Sequence, residues 1–354
     1  MNDIEKTTFL VTGATGFLGR HVISILLEKG ASVIAVVRNK SNWDALQWTH
    51  GVGDISVVES PLDDVELMGR ETLNVLQEGH AVKGLFHLAA YVDHGRHNSA
   101  EVFETNCQGT KSMILLAKFL SCKMLFVSTS GTVASFEHPD DWADEHSDIG
   151  LEPVKRWPYY HSKALAEIES RALASEIGVT LIIIRPPAML GPGDHRFRST
   201  KHILKMLLGK LPFLIDGGIN FVDIRDAAAA MVAALELTYP KEVYHLNGTE
   251  CGIREFFDMV AAVSGAKAPT VVLPYGLAHG IASGVDILRQ NLGLSIQGIP
   301  EPVVVEMASR HWGLKSRYSK SELGYISREP LQTLADTVTW LRKNHPVLKL
   351  DRAR

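Results

Sequence analysis

A tyrosine and a lysine stand four residues apart in the segment Tyr159-Tyr160-His161-Ser162-Lys163. Helical patterning begins at this segment, so the spacing puts both side chains on one helix face, one above the other. A free phenol has a pKa of about 10 and is a poor base at neutral pH, but a nearby ammonium group lowers that pKa. The pair therefore predicts a lysine-tuned tyrosine that exchanges a proton with a substrate oxygen. The alternative is a solvated helix face, because this spacing also arises by chance.

Three hydroxyl side chains, Ser128-Thr129-Ser130, follow a predicted buried strand that begins at Met124. The carboxyl ends of parallel strands form the edge at which open α/β sheets bind ligands. A hydroxyl at that edge can hydrogen-bond a reacting oxygen and orient it. A single serine there would be an ordinary strand-end turn. Together with the tyrosine and lysine, the hydroxyls indicate one catalytic site.

A glycine-rich segment separates the first predicted strand, Thr8–Thr12, from the helix that follows it. Gly13 permits the tight turn, Gly16 lets the backbone approach a pyrophosphate, and Gly19 allows close helix packing. The free N–H groups and the positive dipole of a helix start favour an anion. The segment therefore predicts dinucleotide binding. The expected contacts are Gly13, Thr15, Gly16, Phe17, Leu18 and Gly19.

The end of the second predicted strand, Ser32–Val37, indicates which dinucleotide is used. NAD enzymes usually place a carboxylate there against the ribose 2′-hydroxyl. Here the strand continues into Arg38-Asn39-Lys40, and the sequence shows no acid in reach. A guanidinium can bind a 2′-phosphate through paired charge-assisted hydrogen bonds. We interpret Arg38 as a determinant of NADP(H) over NAD(H); an exposed arginine stacked on adenine would suit either cofactor.

Strand and helix patterns alternate through the first half of the chain at the spacing of βαβ units. The strands are continuous apolar runs, as expected for a parallel sheet buried on both faces. From Pro186 a loop rich in Pro, Gly and charge interrupts the pattern, and from about Gly252 the chain is mostly helical. These patterns predict an α/β fold: a Rossmann-type doubly wound parallel sheet with a smaller, mostly helical C-terminal substrate lobe. The expected division is 1–185 with 221–248 for the dinucleotide-binding domain, and 186–220 with 249–354 for the substrate-binding lobe.

Two predicted elements lie next to the candidate site. A fourth strand is predicted over Lys83–Ala90, and a continuous helix over roughly Ala100–Leu120. Asp93, His94 and Arg96 follow that strand, so they are either substrate contacts at the mouth of the site or solvated loop residues.

The composition excludes several classes of function. The 354 residues are 45% apolar and 21% charged, an ordinary globular balance with enough chain for two lobes. A formal charge of −4, from 36 basic and 40 acidic side chains, argues against a nucleic-acid partner. None of the three cysteines forms a CxxC pair, and the histidines lack HExxH or facial-triad spacing. We therefore expect no disulfide framework and no metal.

The sequence also bears on location. The N-terminus lacks the features of a signal peptide, and no run reaches the ~18–20 apolar residues that span a bilayer. The nearest run, Val271–Leu288, contains His279, Ser283 and Asp286. We interpret it as a substrate-lobe helix; a membrane-surface helix is the alternative. We expect a cytoplasmic protein without a membrane span.

The motifs together resemble the extended short-chain dehydrogenase/reductases, the NAD-dependent epimerase/dehydratase superfamily, over nearly the whole chain. Beside TGATGFLG and YYHSK, they are HLAA at 87–90, NCQGT at 106–110, RPPAMLGPGD at 185–194 and FVDIRD at 221–226. Arg156-Trp157-Pro158 and the ending SKSELGYISREPLQTLADTVTWL are most similar to the dihydroflavonol reductase and 3β-hydroxysteroid dehydrogenase branch. The ending is also typical of related sugar epimerases.

This resemblance implies a catalytic triad of Ser130, Tyr159 and Lys163. It also implies that Asn106 braces the strand ends near the site. Pro61 stands where the family often has an aspartate for the adenine amine, so adenine would rest on Leu62 and on backbone. The further cofactor contacts that it implies are Leu62, Leu88, Ala89, Ala90, Asn106, Tyr159, Lys163, Pro186, Ala188 and Met189.

Three functions remain open from the sequence. The first is an NADP(H)-dependent oxidoreductase that interconverts a carbonyl and a secondary alcohol on a small, moderately apolar substrate. The second is a nucleotide-sugar epimerase or dehydratase with tightly bound NAD, against which Arg38 argues. The third is a non-catalytic dinucleotide sensor. By resemblance the protein is expected to be a homodimer formed through two helices that flank the sheet.

Overall fold

The computed structural model describes residues 7–44, 53–76, 79–95, 99–292 and 299–350. The strands are β1 (Thr8–Thr12), β2 (Ser32–Val37), β3 (Ile55–Glu59), β4 (Val82–His87), β5 (Lys123–Val127), β6 (Leu181–Arg185), β7 (Ala188–Leu190), β8 (Leu214–Ile215), β9 (Gly218–Asp223), β10 (Val243–His245), β11 (Thr249–Gly252) and β12 (Val272–Leu273). The helices of the first half are α1 (Phe17–Glu28), α2 (Lys40–Asp44), α3 (Val65–Val75), α4 (Ser99–Phe103), α5 (Gly109–Phe119), α6 (Leu151–Val154) and α7 (Pro158–Ile177). Those of the second half are α8 (Lys201–Leu207), α9 (Ile224–Glu236), α10 (Ile253–Ser264), α11 (Tyr275–Leu292), α12 (Pro302–Ala308), α13 (Ser319–Leu323), α14 (Pro330–Asn344) and α15 (Pro346–Leu350).

Seven strands form the main sheet, in the order β10-β6-β5-β4-β1-β2-β3. Each pair of neighbours in this sheet is parallel. The chain leaves β1 towards β2 on one side and later returns to β4 on the other, so the connections diverge between β1 and β4. That divergence opens a crevice at the carboxyl ends of these strands. The predicted Rossmann-type doubly wound sheet is confirmed.

Both faces of the main sheet are buried, which explains the continuous apolar runs of its strands. Phe9 and Val11 of β1 pack in a core with α1 and α9, whereas Leu10 packs with α3 and α5 on the opposite face. Successive side chains of a strand point to opposite faces, so most positions of a doubly covered strand are apolar, and buried polar side chains such as Thr12, His87 and Arg185 stand at the carboxyl ends of their strands.

A smaller lobe covers the carboxyl end of the sheet. In it β7 lies parallel to β9, β9 lies antiparallel to β11, and β8 pairs with β12. Phe221, Phe256 and Leu334 are in its apolar core, which β9, α10 and α14 share. After β9 the chain returns through α9 to β10 at the edge of the main sheet. The mostly helical C-terminal lobe is therefore present, and the residue bounds of the two domains stay a prediction.

Three local predictions differ from the structure. β4 ends at His87, so Leu88–Ala90 are loop residues. The helix predicted over 100–120 is interrupted between α4 and α5 by a π-helical turn, Glu104–Gln108. The segment RPPAMLGPGDHRFRS at 185–199, predicted as a loop that leaves the sheet, contains the short strand β7. A π turn inserts one residue without changing the apolar pattern, and strands of two or three residues are too short to show a period.

A buried ion pair joins the long helix α7 to β6. Glu167 and Arg185 are fully enclosed, and the guanidinium binds both carboxylate oxygens, with Arg185 Nε 3.2 Å from Glu167 Oε2. Ser128 Oγ donates to the same oxygen at 2.9 Å, and Arg185 Nη1 lies 3.1 Å from His245 Nε2. Removing one partner of such a pair leaves an uncompensated buried charge.

We expect Arg185→Met to lower the free energy of unfolding by about 3–5 kcal/mol, because the buried Glu167 carboxylate would lose its two-point partner and keep only the more distant Arg171, 3.9 Å away. Urea denaturation followed by circular dichroism measures this loss. Lys29→Met is the matched control, since Lys29 binds Glu236 at 2.9 Å on the surface and should cost less than about 1 kcal/mol. Equal losses in the two variants would contradict the role given to the buried pair.

Candidate active site

The glycine segment forms a tight backbone cradle between β1 and α1. Gly13 has φ +70°, and a Cβ there would lie 2.7 Å from the backbone nitrogen of Ala89. A Cβ on Gly19 would collide with the carbonyl of Gly13, which itself accepts a hydrogen bond from Gly16 N at 2.9 Å. α1 begins at Phe17 with no side chain capping its first N–H groups. The cradle therefore fits a pyrophosphate, whose oxygens would bind those N–H groups.

At the end of β2 the structure corrects one expectation. Arg38 is exposed, as a 2′-phosphate contact must be, and hydrogen-bonds to none of the described residues. A carboxylate does lie near, however, because Glu59 of β3 is in register with Val37 and its Oε2 accepts a hydrogen bond from Lys40 N at 3.1 Å. The expectation of no acid in reach is thus wrong: parallel pairing brings in a residue 22 positions away from Val37. A positive side chain, Arg38, and a negative one, Glu59, therefore both lie at this end of β2.

The remaining residues expected to line the cofactor occupy two loops and a strand. Leu88 and Ala89 lie directly against Gly13, and Ala90 follows them on the surface. Leu62 is partly buried and packs towards Gly109 at the start of α5. On the opposite side of the crevice lie Pro186, Ala188 and Met189, of which the last two belong to β7. Their contacts with a cofactor stay predictions.

The hydroxyl cluster turns sharply at the end of β5. Ser130 begins a one-turn 3₁₀ helix, and its backbone nitrogen donates to Pro186 O at 2.9 Å. Ser128 is committed to Glu167 by the contact described above, and Thr129 Oγ1 accepts a hydrogen bond from Gly131 N at 3.3 Å. Ser130 Oγ, in contrast, has no hydrogen-bond partner among the described residues. Of the three hydroxyls, that of Ser130 is therefore the one left for a ligand.

α7 brings Tyr159 and Lys163 to the same strand end. Lys163 Nζ donates to Val127 O, the last residue of β5, at 2.6 Å and lies 4.3 Å from the centre of the Phe126 ring. Burial lowers the pKa of Lys163 to about 7, although the carboxylate of Glu167 acts in the opposite direction. The ammonium group is thus anchored to the strand that carries Ser130.

The pKa of Tyr159 moves in the direction opposite to the expected one. Burial raises it to about 12 in the protein alone. Lys163 points to the carbonyl of Val127 and does not lower the phenol's pKa here. The phenol is consequently protonated near neutral pH, which is the form that donates a proton.

Asn106 lies on the π turn and fixes the loop after β4. Its Oδ1 accepts a hydrogen bond from Tyr91 N at 2.9 Å, and its Nδ2 donates to Tyr91 O at 3.1 Å and to Ser162 Oγ at 2.9 Å. Ser162 in turn donates to Tyr159 O at 2.7 Å. Because all its polar atoms are engaged, Asn106 connects this loop to the first turn of α7, and its direct contact with a cofactor stays a prediction.

A chain of hydrogen bonds through His87 connects the cradle to the π turn. Thr110 Oγ1 donates its proton to Asn106 O at 2.6 Å. It can therefore only accept a hydrogen bond from His87 Nε2, which lies 3.1 Å away. The proton therefore sits on Nε2, and Nδ1 accepts from Thr12 Oγ1 at 2.9 Å. Thr12 Oγ1 accepts in turn from Ala89 N at 3.4 Å. This order holds only for a neutral imidazole.

The sequence reasoning missed an aromatic cluster beside Tyr159. Tyr160 stacks on Trp312 with ring centres 5.3 Å apart, and His94 lies over its ring at 5.7 Å. His94 also meets the ring of Tyr159 edge-on at 5.2 Å, so it lies in the site and is more than a solvated loop residue. Arg96 falls outside the described residues. No local signal could have found Trp312, because it reaches the site from the distant C-terminal lobe.

Two negative findings apply to the part of the chain that the structure describes. Its histidine, cysteine and acidic side chains form no group of three or more arranged to hold a metal ion. Its helices are all too short or too polar to cross a bilayer.

Parallel strands, a glycine cradle at the crevice and a Ser-Tyr-Lys set at the neighbouring strand end define a dinucleotide-binding protein of the Rossmann class. A family model described as the NAD dependent epimerase/dehydratase family matches residues 9–247. The chain belongs to this family, and the resemblance to the extended short-chain dehydrogenase/reductases is confirmed. It is accordingly an NAD(P)-dependent oxidoreductase that acts on CH–OH and C=O groups.

Two relatives match almost the full chain. The sterol demethylase protein B of Methylococcus capsulatus is 29% identical over 95% of this chain and 98% of its own. A putative dihydroflavonol 4-reductase of Synechocystis is 27% identical, with 96% of each chain covered. Both matches include the C-terminal lobe as well as the dinucleotide-binding part.

Solved structures give the same fold. The crystal structure of gox2253 has a TM-score of 0.77 and 26% identity, covering 96% of this chain and 99% of that one. The dTDP-glucose 4,6-dehydratase of Bacillus anthracis, in complex with NAD, has a TM-score of 0.72 at 19% identity and covers 96% and 97%. At that identity the second likeness shows the fold alone.

The neutral histidines predict acid sensitivity of the fold. Burial, followed by the charge of Lys163 for His87 and of Arg185 for His245, lowers the pKa of each histidine to about 3. In the unfolded chain each has a pKa of about 6.5, so between about pH 6.5 and 3 only the unfolded state binds these protons. The contribution of these two histidines to stability is therefore constant above about pH 6.5 and falls as the pH decreases, by up to about 1.4 kcal/mol per pH unit for each histidine.

Urea midpoints between about pH 7 and pH 4 test this dependence. His87→Asn keeps an acceptor for Thr12 and should flatten the slope of unfolding free energy against pH. His138→Asn, on an exposed loop, should keep the wild-type slope. An unchanged slope in His87→Asn would show that His87 is not a source of the acid sensitivity.

Proposed function

We propose that this protein is an NADP(H)-dependent reductase that interconverts a carbonyl and a secondary alcohol on a small, moderately apolar substrate. The observation that carries the proposal is a protonated Tyr159 on α7 together with an unpartnered Ser130 hydroxyl at the carboxyl end of β5, two elements that Lys163 joins through Val127 O. Reduction of a carbonyl needs a hydrogen-bond donor that orients the oxygen and an acid that protonates it. These two residues have the chemistry for both tasks.

Each residue of the site would have its own task in carbonyl reduction. Bound NADPH would supply the hydride to the carbonyl carbon. Ser130 Oγ would hold the carbonyl oxygen, and Tyr159 would give it a proton. Lys163 does not act on the pKa of Tyr159 in the protein alone; fixed to Val127 O, it would hold the strand end that carries Ser130 against α7. The cradle at Gly13 and Gly16 would hold the pyrophosphate.

The preference for NADP(H) rests on Arg38. Its guanidinium is exposed at the end of β2, where the ribose 2′-position of a dinucleotide lies in this fold. Glu59 on the neighbouring strand would oppose a 2′-phosphate, but its carboxylate is already engaged by the backbone of Lys40. The names of the two relatives, for a sterol and for a dihydroflavonol, support an apolar ring-bearing substrate.

The alternative is a nucleotide-sugar epimerase or dehydratase with tightly bound NAD. The dTDP-glucose 4,6-dehydratase, bound to NAD, shares the fold of this chain, and Glu59 is the acid that NAD binding at β2 would use. The two functions differ in what happens to the cofactor: a reductase releases it at every turnover, whereas an epimerase retains it.

A homodimer through the two helices that flank the sheet is part of the proposal. Leu115 and Phe119 of α5 and Ile168 of α7 are large apolar side chains exposed on the surface of the monomer. Their exposure supports this pairing, because contiguous exposed apolar side chains mark interfaces.

Parallel fluorescence titrations with NADPH and NADH test the cofactor. We expect a preference for NADPH of tenfold or more, about 1.4 kcal/mol. Arg38→Gln should remove it and leave NADH binding unchanged, Glu59→Gln should strengthen NADPH binding, and Arg70→Gln on exposed α3 should change neither. Equal affinities in the wild type, or NAD that remains bound after purification, would favour the alternative.

A panel of ketones and aldehydes, followed by NADPH oxidation, tests the reaction. Tyr159→Phe should lower kcat by about 10²- to 10⁴-fold, because the proton donor is lost, with NADPH affinity within about twofold. Tyr239→Phe, at a tyrosine that is 91% exposed, should leave both values unchanged. A Tyr159→Phe enzyme with normal kcat would refute the assigned mechanism.

A further inference from the structure

Four aromatic residues, His94, Trp157, Tyr160 and Trp312, form a wall that leads away from Tyr159. Along it, His94 covers Tyr160 and Tyr160 covers Trp312, with interplanar angles of 29° and 28°. Trp157 supports the wall from within the core, 5.9 Å from Tyr160 and 6.2 Å from Trp312. We call these four residues the aromatic wall.

The aromatic wall is rigidly held and still accessible. Trp157 is fully buried, whereas His94, Tyr160 and Trp312 each keep part of their surface exposed. The ring of Tyr160 lies so close to Gly131 that a Cβ there would collide with it. Gly131 directly follows Ser130, so the wall starts beside the hydroxyl that would hold the carbonyl oxygen.

The charged groups around the wall are engaged with one another. Arg156 binds Glu306 at 2.5 Å, and Arg310 binds Glu137 at 2.7 Å while lying 5.9 Å from the Trp157 ring. Glu306 is almost fully buried and lies 3.8 Å from Arg310 as well. Each of these ions therefore has its counter-ion within the protein, whereas Asp93 and Lys201 place charges near His94.

Partly exposed aromatic rings next to a reacting centre favour flat apolar partners. Offset-stacked and edge-to-face contacts between rings are favourable, and they demand no hydrogen bonds from the partner. A sugar, by comparison, brings several hydroxyl groups that each need a donor or an acceptor once water is removed. The polar atoms of the wall are the Tyr160 hydroxyl, the ring nitrogens of His94 and the indole nitrogens of Trp157 and Trp312, and of these His94 Nδ1 and Trp157 Nε1 are buried and have no hydrogen-bond partner among the described residues.

We propose that the aromatic wall binds the ring system of a planar carbonyl substrate, an inference that rests on the proposed reductase function. Tyr160 and Trp312 are then residues that determine substrate specificity. The carbonyl lies between Ser130 and Tyr159, and the fused or attached ring extends over the wall. Substrates with an aromatic ring next to the carbonyl are then preferred to non-aromatic ketones of similar size.

The first test compares two ketones, 4-chromanone, whose carbonyl adjoins a flat aromatic ring, and cyclohexanone, which lacks one. Trp312→Ala should raise KM for 4-chromanone tenfold or more and change KM for cyclohexanone less than twofold, with kcat for both largely retained. Trp312→Phe should restore most of the affinity. Trp142→Ala is the matched control, because Trp142 is 47% exposed and contacts Lys315 outside the wall.

The second test measures binding without turnover. Isothermal titration of 4-chromanone into NADP⁺-saturated protein should give a tenfold weaker affinity in Trp312→Ala than in the wild type. Tyr160→Leu repeats the measurement from the other side of the stack, in case Trp312→Ala does not fold. If binding depends on the wall but the protein reduces no ketone, the proposed role of the wall is supported and only the proposed reductase function is refuted.

Two results would overturn the inference. One is a wild-type protein that does not bind 4-chromanone in the presence of NADP⁺. The other is an affinity that Trp312→Ala and Tyr160→Leu leave within twofold of the wild type. If ketones are nevertheless reduced, the proposed reductase function stands and the substrate ring lies elsewhere.

Discussion

The attachment of α7 to the carboxyl ends of β5 and β6 is the constraint on which the site depends. Lys163 holds the carbonyl of Val127, and one turn later Glu167 binds Ser128 and Arg185. These contacts are shielded from water. Breaking one of them would leave a buried polar or charged group without a partner, which costs free energy of folding. They fix the position of Tyr159 relative to the end of β5, after which Ser130 lies.

A second set of contacts fixes the cofactor cradle to the same frame. The hydrogen-bond chain Ala89–Thr12–His87–Thr110–Asn106 joins β1, β4 and the loop after it to α5 and the π turn, and it continues through Ser162 to the first turn of α7. Its donors and acceptors fit together only when His87 is neutral. The glycine cradle and the first turn of α7, which carries Tyr159, are thereby held in one arrangement, as the proposed hydride transfer between fixed partners would require.

The C-terminal lobe completes the site from the other side. Trp312 reaches Tyr160 from a segment that also pairs with the loop after β5, through the bridge of Phe136 with His311. In the proposed function the lobe would contribute the surface on which a substrate lies, while the sheet would contribute the reacting groups. This separation explains how one family can keep its chemistry and change its substrates.

The sequence by itself determined the sheet, the glycine cradle and the residue types of the proton-transfer site. Glycines at a strand–helix turn, and a tyrosine and lysine four residues apart, are local patterns whose meaning depends on backbone geometry alone. The tertiary structure decided the rest. It placed Glu59 beside Arg38, raised the pKa of Tyr159 to about 12, and brought Trp312 to Tyr160. Burial, charge and stacking depend on residues far apart in the chain, and no local pattern records which of them will meet.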